Sequence, residues 1–168
     1  MGGIALARPE SKADAFADTV APHFPALVRR LAVVVGDPDA GLDLAQETYL
    51  RAFRAWDRFD GADVRAWLHT IGLRLAFNER SRRRRWSELL RSRRSGSTDW
   101  VAPRDLDLHA ALSGLRREYR AALLLNVVDG YTHEQIGQML DVAPGTVGSW
   151  ISRAKQHLRV ALEDTTDG

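Results

Sequence analysis

Residues Tyr131–Leu162, YTHEQIGQMLDVAPGTVGSWISRAKQHLRVAL, admit few folds. Two amphipathic helical patterns stand on either side of an interruption too short for anything but a tight turn. Thr132 is placed to cap the first helix, and Gln135, three residues on, completes a capping-box pattern. Ile136 and Leu140 repeat on one face. Asp141-Val142-Ala143-Pro144-Gly145 then breaks the run, because Pro144 and Gly145 disfavour a helix interior. Thr146 is expected to cap the second helix, whose Val147, Ile151, Ala154 and Leu158 follow the rhythm of one buried stripe. Its other face carries Ser149, Ser152, Arg153, Gln156 and Arg159, hydrogen-bonding and basic types suited to base edges and phosphates. The spacing is that of a helix-turn-helix, which makes DNA the leading ligand. An ordinary helical hairpin with a solvated polar face has the same local pattern.

Composition narrows the alternatives. A length of 168 residues allows one domain or two small ones. With no cysteine, disulfides and thiolate zinc sites are excluded. His23, His69, His109, His133 and His157 are scattered without metal-ligand spacing. No nucleophile–base motif or glycine-rich phosphate loop is present, so neither an enzyme nor a bound cofactor is expected. No apolar run approaches the roughly 18–20 residues of a membrane span, and the N-terminus lacks a basic-then-apolar signal pattern. A cytoplasmic protein is the expectation.

Charge is unevenly placed. Arg80–Arg94 holds eight arginines and one glutamate, a local +7 that leaves −5 on the rest of a chain whose net charge is +2. A basic segment in an acidic remainder is the footprint of a phosphate-contacting stripe. The bland readings are a solvated helix end and, for the 22 arginines against two lysines, a GC-rich genome.

Apolar periodicity predicts helices almost throughout, and no alternating strand pattern or repeat stands out. Ala13–Val35 carries Phe16, Val20, Phe24, Leu27, Val28 and Leu31 on one side, with Pro22 and Pro25 expected to split it. Gly36–Asp39 is a turn. Ala40–Phe59 shows a stripe of Leu42, Ala45, Tyr49, Phe53 and Trp56, with Asp43, Gln46, Glu47 and Arg51 facing away. Asp57–Asp63 is a polar loop, and a further helix from Val64 buries Trp67, Leu68, Ile71 and Leu75. Trp67 is read as core rather than as a stacking platform. After a Gly/Ser/Pro-rich stretch, Leu108, Leu112, Leu115, Tyr119, Leu123 and Val127 give helical faces broken near Gly114. The expectation is an all-α chain of two small helical domains joined by a flexible linker. The boundaries are an arm at 1–12, a first domain at 13–91, a linker at 92–104, a second domain with the helix-turn-helix at 105–163 and a tail at 164–168.

At this level of detail the residues resemble a known family. Asp43-Leu44-Ala45-Gln46-Glu47-Thr48-Tyr49-Leu50-Arg51-Ala52-Phe53-Arg54-Ala55-Trp56 is similar to the "DLVQETFLRAWRA" signature of extracytoplasmic-function (ECF) sigma factors. Arg58-Phe59-Asp60-Gly61 and Trp67-Leu68-His69-Thr70-Ile71 follow at the family's spacing, and Gly130–Gly137 and Gly145–Trp150 resemble its "GLSYEEIA" and "GTVKSR" elements. A helix-turn-helix alone also fits response-regulator output domains; two motifs in the right order are far more specific. The resemblance, over roughly residues 13–162, implies a sigma domain 2 followed by a sigma domain 4. Its partners would be core RNA polymerase, promoter DNA and an anti-sigma factor. Asp43, Gln46, Glu47 and Arg51 would then bind polymerase. Asp60, Gly61, Arg74, Asn78, Arg82, Arg83, Arg84 and Arg85 would act at the −10 element. Thr146, Ser149, Ser152, Arg153, Lys155, Gln156 and Arg159 would act at −35.

Three positions depart from the family pattern. Gly148 stands where a basic residue is usual, Trp150 where Arg is common, and Arg74 in place of an Asn near the −10-reading surface. They keep a second class in view: a sigma-like decoy or adaptor that binds an anti-sigma factor or polymerase without reading promoters.

Overall fold

The computed structural model describes residues 11–78 and 103–166, with side chains at 11–78 and 108–163; the Arg80–Arg94 cluster, Arg82–Arg85 among it, lies outside the described residues. Described residues form helices and turns with no strand. The helices are α1 (Lys12–Val20), α2 (Phe24–Val35), α3 (Pro38–Ala55), α4 (Val64–Phe77), α5 (Pro103–Ser113), α6 (Arg117–Val127), α7 (His133–Leu140) and α8 (Pro144–Thr166). Short 3₁₀ turns at Ala21–His23 and Trp56–Arg58 follow α1 and α3.

Local chemistry sets these boundaries. Ser11 and Asp14 form a reciprocal capping box at α1, and Asp37 and Asp63 accept from the backbone N–H groups of Ala40 and Ala66 to cap α3 and α4. Pro22 and Pro25 divide the first helical stretch, as expected: Pro25 falls in the opening turn of α2, where the missing N–H costs nothing. α2 ends at Gly36 in the left-handed region, φ 77°.

Helices α1–α4 enclose one core. Phe16 is its aromatic centre, edge-on to Tyr49, Phe53 and Trp56 at centroid distances of 4.7, 5.2 and 5.3 Å. The buried face of α3 differs from the expected stripe of large residues. It is Gly41, Leu44, Ala45, Thr48 and Ala52, while Leu42 and Phe53 are exposed. Close approach of α2 explains the offset: a Cβ on Gly41 would lie 2.4 Å from the Ala32 backbone. Only small side chains fit that crossing, and the larger ones rotate to its flanks.

Helices α5–α8 make the second unit. Thr132 and Gln135 form the predicted capping box of α7. The turn itself differs from expectation. Asp141 ends α7 in the left-handed region, φ 57°, and α8 already begins at Pro144, with Thr146 inside it. Pro144 and Gly145 occupy the opening turn, where the helix leaves its N–H groups unpaired in any case. Gly137 lets the turn cross α7, for a Cβ there would meet the Val142 carbonyl at 2.7 Å. Val147, Ile151 and Ala154 are buried, as predicted.

The two units pack against each other, α2 on α6 and α4 on α7. Helix α6 therefore buries six consecutive residues, Arg120–Leu125, instead of a single stripe, while Val127, predicted to be inward, is exposed. A helix apolar all round is one packed on both sides.

Candidate nucleic-acid and polymerase interfaces

Asp43, Gln46 and Glu47 lie three and four residues apart, hence on one side of α3 opposite its buried face. Asp43, Gln46 and Arg51 are exposed and Glu47 is half-buried. The Glu47 carboxylate accepts from Arg51 Nε at 2.7 Å, which steadies both side chains at the surface. Leu50, absent from the sequence-based site, stands exposed beside them. It borders an apolar groove of about 530 Å³ lined by Ala21, Phe24, Pro25, Gln46, Tyr49 and Leu50. The i, i+4 step from Gln46 to Leu50 is the signal that could have found it.

The loop between α3 and α4 presents Asp60 and Gly61 to solvent. Asp60 Oδ1 accepts from the Ala62 N–H at 3.1 Å, and Gly61 holds φ 79° with open space around it. Trp67 is half-buried and stacks on Phe59 at 4.7 Å, and Trp56, stacked on Phe59 at 5.3 Å, also lies 6.2 Å from Trp67, so the three rings form one cluster. Trp67 packs against the hydrophobic core, as read from the sequence, and within it belongs to an aromatic cluster beside the loop. Asn78 is the exposed C-cap of α4. Arg74 is used differently from expectation: its guanidinium donates to the Gln138 and Met139 carbonyls at the end of α7, each at 3.3 Å.

On α8, Ser149, Ser152, Arg153, Lys155, Gln156 and Arg159 are exposed, and Thr146 is half-buried. Ser149 Oγ donates to the Gly145 carbonyl at 3.0 Å, so its proton serves the helix. Arg153 donates to the Tyr119 hydroxyl at 3.1 Å, and this bond holds the phenol below its usual pKa. Trp150 packs beside Tyr119, ring centroids 6.3 Å apart. Gly148 does not present a gap to solvent alone; a Cβ there would sit 3.5 Å from the His133 ring. The start of α8 therefore offers few free groups, and its basic polar face begins at Ser152.

The seam between the units holds a buried ionic cluster that sequence reading missed. Asp129, whose side chain is 8% exposed, accepts from Arg30 at 2.8 Å. Arg65 donates to the Asp129 carbonyl at 2.8 Å and to the Tyr131 hydroxyl at 3.2 Å, which raises the Arg65 pKa. His69 lies beneath Tyr131, its Nδ1 buried without a hydrogen-bond partner. Burial, reinforced by the Arg30 and Arg65 charges against the opposing pull of Asp129 and Asp63, lowers its pKa to about 4. A folded pKa below the unfolded value of about 6.5 means the unfolded chain binds the extra proton first. Stability from this group is complete above pH 6.5 and falls as pH drops toward 4. Between pH 7 and 5 the loss is expected to be about 2 kcal/mol. Thermal melts of the parent and His69→Gln chains should diverge by that amount; parallel pH profiles would contradict it.

An acidic–basic face on one helical unit and a helix-turn-helix on the other define a DNA-binding transcription protein by fold and site. Comparison with known proteins narrows the class. Residues 19–86 match the family model of Sigma-70 region 2, and residues 105–158 that of Sigma-70, region 4. RNA polymerase sigma factor CarQ of Myxococcus xanthus is 32% identical over 157 residues, covering 89% of this chain and 90% of that protein. The ECF RNA polymerase sigma factor SigE of Mycolicibacterium smegmatis is 36% identical over 128 residues; the match takes in 70% of this chain but only 49% of SigE. Among solved structures, the sigma factor RpoE in complex with the anti-sigma factor NepR from Bartonella quintana superposes with a TM-score of 0.72 at 25% identity, covering 89% of this chain and 97% of that one. CnrH in complex with the cytosolic domain of CnrY gives 0.62 at 28% identity, covering 90% of each. The chain belongs to the ECF sigma factors of RNA polymerase. No helix among the described residues is long and apolar enough to cross a membrane.

Proposed function

We propose that this chain is an alternative sigma factor that brings core RNA polymerase to promoters through two separate units. Residues 13–91 act as sigma domain 2 and residues 105–163 as sigma domain 4. The Asp43–Arg51 face holds polymerase. Asp60, Gly61 and the aromatic cluster beside them, with Asn78, Arg74 and Arg82–Arg85, serve the melted −10 strand, where unstacked bases need aromatic surfaces and basic groups along the backbone. Helix α8 enters the major groove at −35. The observation that carries this reading is α8 itself. Its inner positions are sealed against α6 and α7, while Ser152, Arg153, Lys155, Gln156 and Arg159 stand exposed together. Run-off transcription with core polymerase on fragments upstream of the chain's own gene tests it. A discrete, chain-dependent transcript supports the reading, and none from any such fragment opposes it. Regulation by an anti-sigma factor belongs to the same proposal, supported by the two complexes to which the fold is similar.

Arg153 is the group on α8 best suited to a bidentate contact with guanine, worth about 1–3 kcal/mol of discrimination. Arg153→Ala should relax upstream sequence preference by about ten- to a hundredfold with core binding intact, measured by competition between promoter variants for holoenzyme. Tyr119→Phe, which removes the bond that steadies Arg153, should give a smaller shift in the same direction. A second reading, the decoy, is favoured by the start of α8, where the Ser149 hydroxyl is taken by the Gly145 carbonyl, Trp150 is packed beside Tyr119 and Gly148 has no side chain.

A further inference from the structure

The row of outward positions on α8 that includes Ser152 and Gln156 begins, at the same four-residue step, with Gly148, which has no side chain. A ring from the neighbouring helix lies over it. His133 is the first residue of α7, and its Cε1 and Nδ1 stand 3.5 Å from where a Gly148 Cβ would be. The reciprocal capping box of Thr132 and Gln135, with bonds of 2.8 and 3.3 Å, fixes His133 at the helix start. His133 is exposed, and its ring nitrogens make no hydrogen bond among the described residues. The neighbouring groups of α8 are engaged. Ser149 Oγ donates to the Gly145 carbonyl, Trp150 packs beside Tyr119, and Arg153 donates to the Tyr119 hydroxyl. Glu134, the charged neighbour, lies on the side of α7 that carries Gln138 and Asp141, four and seven residues on. Its carboxylate accepts from its own N–H and from the Thr132 hydroxyl, which holds it below the usual carboxylate range.

We propose that His133 is a DNA contact of this chain: reaching across Gly148 from α7, its imidazole donates to a phosphate beside the −35 element, in the place left by the missing side chain at 148. The proposal rests on the sigma-factor reading. In a helix-turn-helix the second helix lies in the major groove and the first crosses the sugar–phosphate backbone. A donor on the opening residue of α7 therefore meets phosphates, while those on α8 face base edges. An imidazole N–H is such a donor, and glycine at 148 makes room for the ring. A Cβ at 3.5 Å is in ordinary contact, but any longer side chain at 148 leaves the backbone alongside the imidazole. Positions 133 and 148 thus share one space, and occupation of it from one helix excludes the other. The start of α8, poor in free groups, is completed from α7.

Holoenzyme reconstituted from the full chain and core polymerase, titrated against the duplex that supports run-off transcription, tests the contact. His133→Ala is expected to weaken binding about tenfold, since a hydrogen bond to a charged group is lost. The loss should be uniform across single-base variants of the upstream element, because a phosphate contact carries no sequence information. His133→Lys, which restores a phosphate donor, should recover most of the binding. Gly148→Arg should gain less than about twofold in the parent yet about tenfold in the His133→Ala chain, where no ring competes. Additive effects of the two substitutions overturn the shared space, and so does parent-level binding by a His133→Ala chain with an unchanged thermal melt. A loss confined to one base pair overturns the phosphate assignment. His133→Leu, which keeps an apolar contact on Gly148 without the N–H, decides the matter if the Ala variant is destabilised. Parent holoenzyme that binds no promoter duplex would remove the sigma-factor reading; parent holoenzyme that binds equally well with and without the imidazole removes this contact alone.

Discussion

An Asp43→Lys/Glu47→Lys chain is expected to lose core polymerase binding by about a hundredfold or more while keeping its fold. Close interfacial charge pairs couple by about 1.5–7 kcal/mol, and reversal adds repulsion to the lost attraction. The effect on the chain alone is small. Asp43 is exposed, and the Glu47–Arg51 pair that the change disrupts is a surface i, i+4 pair, worth about 0.3–0.5 kcal/mol. A binding titration on core polymerase together with a thermal melt reads both sides. Near-parent affinity with an unchanged melt would show that the Asp43–Arg51 face does not hold polymerase. Leu50, exposed between Glu47 and Arg54 on that side of α3, offers an apolar complement to these charges.

The second large effect falls on the fold. Gly41→Leu is expected to cost about 3 kcal/mol or more, the upper end of what overpacking brings. The added side chain would start 2.4 Å from the Cα and N of Ala32, and backbone atoms cannot turn aside as a side-chain tip can. Helices α2 and α3 would have to separate, opening the layer of Leu31, Leu44 and Thr48. Glycine's lower helix propensity, about 1 kcal/mol relative to Ala, works in favour of substitution, so destabilisation by Gly41→Ala would isolate the packing term. Chemical denaturation monitored by circular dichroism gives the number; a Gly41→Leu chain as stable as the parent would contradict the close crossing.

Periodicity carried much of this architecture. Capping residues at Thr132 and Gln135, the prolines at 22 and 25, and the turn at Gly36 act locally, so their effect could be read from neighbours in the chain. What escaped was decided between units. On α3 the large residues suggested one inward face, whereas the partner helix selected the small ones, because contact distance and not hydrophobicity was limiting. On α6 the run Ala121–Leu125 is apolar all round, a pattern that signals packing on two sides, and Arg120 immediately before it is a buried charge satisfied by a set of backbone carbonyls. The candidate site divides the same way. Exposure of the polar face of α8 follows from its own periodicity, while the bonds of Arg153 to Tyr119 and of Arg74 to α7 depend on residues 34 and about 65 positions away.

The central claim is that one chain reads two DNA elements for polymerase. Selection of random duplexes with holoenzyme reconstituted from the full chain and core polymerase tests it most directly. Two short motifs should be enriched at a fixed spacing of about two and a half helical turns, with the upstream one weakened by Arg153→Ala. Holoenzyme that forms normally yet enriches no motif would contradict it and identify the chain as a sigma-like decoy.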